Sequence, residues 1–142
     1  MDDDEMLDRF SAHAEALEEN CGFNCLSTAQ RVVLLTERAA GVIGNGGFRY
    51  FFEQGLDTEA CARSFEELGL ANIAELLRLA ESVFPYGERH ISEEANQPTE
   101  SQEEMLNALA MSVCEELGLT FRSPNEGRLA KCLSAYINGN GR

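Results

Sequence analysis

Few residues of this chain have the type and spacing to do chemistry. Cys21 and Cys25 form a C-x3-C pair, with His13 nearby in sequence. Thiolate and imidazole are zinc-ligand types, but a zinc site needs a fourth ligand, usually from a second close pair, and the sequence shows none. Cys61, Cys114 and Cys132 fall on apolar stripes and read as small hydrophobes. The two histidines, His13 on an acidic stretch and His90 in a Pro/Gly segment, have no serine or cysteine near them in a nucleophile context. H-E-x-x-H, G-x-S-x-G, a phosphate loop and a dinucleotide fingerprint are all missing. Gly44-Asn45-Gly46-Gly47 is glycine-rich but lacks the Lys and Ser/Thr of a phosphate cradle. These residues predict no catalytic group, no metal and no cofactor.

Carboxylates are the remaining chemistry, and their abundance makes any single acid/base pair uninformative. The 142 residues carry 25 Asp and Glu against 11 Lys and Arg, a formal charge of −14. Such a chain repels nucleic acid and anionic membrane, because phosphate binding needs clustered cations. Its electrostatic partner is a basic protein surface. A plain alternative is that the charge serves solubility.

The charge is uneven along the sequence. Residues 1–20 sum to −7 and residues 53–104 to −10, while residues 115–142 come to +1. Asp2, Asp3, Asp4, Asp8, Glu15, Glu18 and Glu19 are dense and lie largely off the apolar face of their helix, so they are the candidate partner-binding acids. Carboxylates one or two helical turns apart are separated by roughly 5–11 Å along the axis, a spacing that crudely imitates successive phosphates of a DNA strand. Others, such as Glu59, Glu100 and Glu103, have a local explanation at helix N-termini.

The elements that position these groups read as helices throughout. Met6, Leu7, Phe10, Ala14 and Leu17 line one face of a first helix over about 3–20, broken at Cys21-Gly22-Phe23-Asn24. Ser27 with Gln30 is a capping box for a second helix ending near Gly44. A short third helix carries Phe48, Phe51 and Phe52 and stops at Gly55. Asp57 or Thr58 caps a fourth, which Gly69 ends. A fifth runs from about Ala71 to Phe84, before Pro85. Residues 85–98 read as an exposed, flexible loop. Thr99 with Gln102 opens the sixth helix, which Gly118 closes, and Ser123-Pro124-Asn125-Glu126 opens the last. The tail over 138–142 is expected to fray. With no alternating strand pattern, the chain is expected to be all-α: a single-domain orthogonal bundle of about six to seven helices over 1–142.

Between Ala40 and Pro85 the chain resembles a bacterial helical family of unknown function whose best-known member is a neisserial DNA-mimic protein. Asn45-Gly46-Gly47-Phe48 carries the resemblance, followed by Tyr50-Phe51-Phe52, Ser64-Phe65-Glu66-Glu67-Leu68-Gly69 and Leu76 to Phe84. Arg49 stands where the family commonly has a neutral amide, and Gln54 where it commonly has asparagine. The resemblance implies a helical fold. It further implies a non-enzymatic protein whose acidic surface copies DNA phosphates for a DNA-binding regulator, and pairing with a second copy of the chain. No helix shows a surplus apolar stripe that would mark a dimer seam. Read structurally, the motif's glycines make a turn and its aromatics fill a core.

Three other functions fit the residues: an immunity or antitoxin-like inhibitor of a basic toxin or nuclease, a small-ligand or structural module built on Phe48–Phe52, and an enzyme whose polar groups meet only in the fold. No apolar run reaches the ~18 residues of a membrane span, and the start Met1-Asp2-Asp3-Asp4-Glu5 is unlike a basic signal peptide. The cytoplasm is therefore the expected compartment. There the five cysteines should be reduced, with Cys21 and Cys25 the pair to meet under oxidation.

Overall fold

A computed structural model describes residues 2–83, 97–118 and 128–140. All of its regular structure is helical: α1 (Asp3–Cys21), a short 3₁₀ turn (Phe23–Cys25), α2 (Thr28–Glu53), α3 (Thr58–Glu67), α4 (Ala71–Val83), α5 (Glu100–Leu117) and α6 (Arg128–Asn140). The six helices pack as one bundle. α2 is its axis, touching α1, α3, α5 and α6; α3 lies on α4, and α4 on α5. The all-α reading therefore holds, at six helices among the described residues.

Local chemistry explains most of the helix ends. Ser27 Oγ accepts from Gln30 N–H at 3.1 Å, and Gln30 Oε1 accepts from Ser27 N–H at 2.8 Å. Thr99 and Gln102 form the same reciprocal box on α5. Asp57, rather than Thr58, caps α3, accepting from Ala60 N–H at 3.0 Å. Gly118 ends α5 in a left-handed conformation.

The expected second and third helices are the two helical segments of α2, which meet at a kink. α2 runs through Gly44 and bends at Gly47, whose φ of 72° and ψ of −166° are non-helical. Gly44 and Gly46 stay helical because a helix tolerates glycine when its flanks are buried, and Ile43, Phe48, Phe51 and Phe52 anchor both sides of the bend. α6 runs through Asn140, with Ile137 buried in its last turn. Of the expected 85–98 loop, only Gln97 and Pro98 are described; Phe84 and the helix start at Ser123–Glu126 also lie outside the described residues.

The core gathers Val33, Ala39 and Ile43 of α2 with Phe65, Ile73, Leu77, Leu106, Val113, Leu117 and Leu133 from the other helices. Four phenylalanines, Phe48, Phe51, Phe52 and Phe65, are completely buried, each contributing roughly 1.5–3 kcal/mol of transfer free energy. A satellite cluster of Ala14, Leu26 and Leu34, with Leu17 and Phe23 against it, fastens the second half of α1 to α2. No helix among the described residues is long and apolar enough to cross a membrane.

Candidate protein-binding surface

The acids of α1 sort by what holds them. Asp2 is the N-cap, its Oδ1 accepting from Glu5 N–H at 2.9 Å. Asp3 and Asp4 belong to the first turn by backbone, and their side chains lie outside the described part. Glu5, Asp8, Glu15 and Glu19 are exposed, and none makes an ion pair among the described residues. Glu18 differs from its neighbours, because both its oxygens accept from the guanidinium of Arg38 on α2, one of them at 3.0 Å. That hydrogen bond holds the Glu18 carboxyl below its usual pKa. Of the seven acids singled out from the sequence, Glu18 is therefore a strut between helices, and Asp2 is a cap as well as a charge.

Asp8, Glu15 and Glu19 share one band of α1, since steps of seven and four residues return to within about 40° of the same azimuth. Along the axis they stand about 10 Å and about 6 Å apart, near three and two nucleotide steps of one DNA strand. Between the first two sits Ser11, nearly buried. Its hydroxyl donates to Glu37 Oε1 on α2 at 2.5 Å. Burial pushes the Glu37 carboxyl above its usual pKa; the Ser11 hydrogen bond opposes this, while the nearby charges of Glu15 and Asp8 add to it. Asp8, Glu15 and Glu37 thus form a three-carboxylate edge where α1 meets α2.

The second acidic block is spent differently. Arg78 of α4 binds Glu59 at 2.9 Å and Glu66 at 2.8 Å, both on α3, and Arg63 adds to Glu59. Arg49 binds Glu103 at 2.5 Å and Glu53 at 3.3 Å, tying the end of α2 to α5. These acids neutralise arginines. Exposed acids of this block without an ion pair among the described residues include Glu75 and Glu81 on α4, and Glu100 and Glu104 on α5. Glu100, Glu104 and, beyond the block, Glu115 share one outer band of α5 with Met111, which is 72% exposed.

The Asn45–Phe52 motif is the bend of α2. Asn45 and Gly46 are exposed at the corner. Phe48, Phe51 and Phe52 pack edge-to-face or tilted, with ring centroids 5.6–6.2 Å apart. All three rings are fully buried, so Tyr50, 36% exposed, is the one aromatic of the motif that meets solvent. Among the described residues no three His, Cys, Asp or Glu side chains converge to hold a metal ion. His13 is exposed, and His90 lies outside the described residues. Cys21 and Cys25 are joined by a disulfide, contrary to the expectation of reduced thiols: Gly22, at φ 99°, turns the chain so that their Cα atoms come within 6.0 Å.

The pattern of the DMP19-like protein family matches residues 24–140. The chain belongs to this family. The match reaches well beyond the 40–85 segment that carried the resemblance, taking in α2 through α6. It begins after α1, so Asp2, Glu5, Asp8, Glu15 and Glu19 stand outside the DMP19-like region. No curated protein and no solved structure matches the chain.

The sequence did not single out Ser11, Glu37 or Arg38. Glu37 lies in an otherwise apolar run with Thr36 and Arg38 beside it. A charge in such a run, on a helix that must pack on both sides, was the available signal.

Proposed function

We propose that this chain is a non-enzymatic, acidic protein-binding module of DNA-mimic type, occupying the basic surface of a DNA-binding protein. Membership of the DMP19-like family supports the mimic reading. The observation that carries the surface assignment is the band of Asp8, Glu15 and Glu19 on α1. These carboxylates are exposed, spaced near phosphate steps, and free of ion pairs among the described residues, whereas Glu59, Glu66 and Glu103 are bound to arginines. A carboxylate already paired offers a basic partner little; an unpaired one offers its full charge.

Affinity capture from lysate of the source organism tests the reading, with bound proteins identified. A basic DNA-binding protein should be held at ~0.1 M salt, where charges are screened over about 10 Å, and released near 1 M, where that length falls to about 3 Å. Duplex DNA should displace it. A partner held equally at both salts, or indifferent to DNA, would refute the mimic mechanism. Capture of a toxin or nuclease would instead place the chain among immunity-type inhibitors, which share the same charge logic.

A further inference from the structure

We propose that Cys21 and Cys25 are a reversible thiol–disulfide pair that fixes the order of α1, and through it the presentation of the acidic band. The inference rests on the acidic-band reading for its consequence, while its own chemistry stands on the corner between α1 and the 3₁₀ turn.

Both cysteines are exposed, so a small thiol can reach either sulfur. The backbone, through the positive φ of Gly22, sets their Cα atoms 6.0 Å apart, inside the range a disulfide spans. The corner also suits the reduced form. Cys25 Sγ lies 3.1 Å from the carbonyl oxygen of Cys21, an acceptor for the thiol proton once the bond is open. Neither state leaves the corner's sulfur chemistry unsatisfied, which is what reversibility needs. Two of the three other described cysteines are poor competitors: Cys61 is buried, with its thiol pushed up to about 12 by burial, and burial also raises Cys114. A thiol held in its protonated form is a weak nucleophile for exchange.

The pair matters because of where it sits. Below it, Leu17 and Phe23 pack on the satellite cluster of Ala14, Leu26 and Leu34. Arg31 lies 5.5 Å over the Phe23 ring and donates to the Asn24 carbonyl oxygen at 3.0 Å. Glu15 and Glu19 belong to the last two turns of α1, next to this corner. Closing a ring of five residues restricts the opened chain where α1 passes into the 3₁₀ turn. Chemically, one cysteine thiolate attacks a sulfur of an oxidised small-thiol disulfide such as oxidised glutathione and expels one reduced thiol. The second cysteine thiolate then attacks the mixed disulfide and expels the other. The protein loses two protons and two electrons, and the oxidant is reduced to two thiols.

The test uses the full chain in glutathione redox buffers from fully reduced to fully oxidised, quenched by alkylation and read by intact mass. Amide exchange of α1 is measured at both ends. Expected is a two-electron transition confined to Cys21 and Cys25, with amides of 15–22 exchanging roughly tenfold or more faster when reduced, the scale for opening so short a ring. Cys25→Ser should exchange like the reduced form in both buffers. Alkylation of both cysteines at every ratio would overturn the pair. A clean transition with unchanged α1 exchange would overturn its hold on the helix. No partner enters either measurement, so failure here is separate from failure of the acidic-band reading.

Discussion

Ser11 of α1 and Glu37 of α2 form a hydrogen bond across the helix pair that carries Asp8, Glu15 and Glu19, acids with no ion pair among the described residues. Burial and the repulsion of Glu15 and Asp8 disfavour the Glu37 carboxylate, and this donor and Arg38 favour it. Removing the donor should be costly. Ser11→Ala is expected to destabilise the fold at pH 7 by about 1–3 kcal/mol, the scale for a buried group left without its partner. Urea unfolding followed by circular dichroism measures this, since the chain has no tryptophan. The loss should shrink in acid, where a protonated Glu37 no longer needs the donor.

Stability should pass through a maximum with pH. Glu37 has its folded-state pKa raised above the ordinary 4.5. The folded protein therefore binds this proton more tightly than the unfolded one, and stability is lost as pH rises through the window just above 4.5. Glu18, Glu59 and Glu66 have theirs lowered by hydrogen bonds from Arg38 or Arg78. Their contribution is present above 4.5 and lost as pH falls below it. Glu37→Gln should flatten the upper limb and leave the lower one, as urea midpoints across pH 3–8 (roughly, the span of these carboxyl titrations) would report.

Three glycines of α2 should respond differently to alanine. Gly47→Ala places a side chain at φ 72°, ψ −166°, a region open essentially to glycine, and should cost about 1–3 kcal/mol. Its Cβ has room, the nearest atoms being Ala110 Cβ and Asn107 Oδ1 at 3.7 Å, so torsion is the cause. Gly46→Ala drives a Cβ to 2.5 Å from Tyr50 Cβ and should destabilise through that contact. Gly41→Ala meets nothing within 4 Å on a helical backbone and should stabilise by roughly 0.5–1 kcal/mol. Thermal melts of the three variants decide the order.

Helices and caps were legible in the sequence because they follow local rules. The Ser27/Gln30 and Thr99/Gln102 boxes, the Asp57 cap and the apolar stripes all required only neighbours along the chain. The break between Gly44 and Phe48 was legible from the glycines, but its place at Gly47 was not, because glycine's weak helix propensity marks a boundary only to within a few residues. The candidate site was half legible. The acids of α1 could be named from their density, but separating Glu18 from Glu15 and Glu19 needed Arg38, twenty residues away. Glu37 stayed unseen for the same reason, since its importance comes from Ser11 across a helix contact. The spending of Glu59 and Glu66 on Arg78 is likewise a property of α3 against α4.

The most direct measurement compares the captured basic partner's affinity for three chains at one low salt concentration. One is unchanged, one carries Asp8→Asn, Glu15→Gln and Glu19→Gln, and one carries Glu100→Gln, Glu104→Gln and Glu115→Gln on the outer band of α5. The two variants have the same net charge, so a difference between them reports place and not total charge. The acidic band on α1 predicts that the first variant loses binding while remaining folded, and that the second binds nearly as the unchanged chain does. Retained binding by the α1 variant with loss in the α5 variant would contradict it, and would move the surface into the DMP19-like region itself.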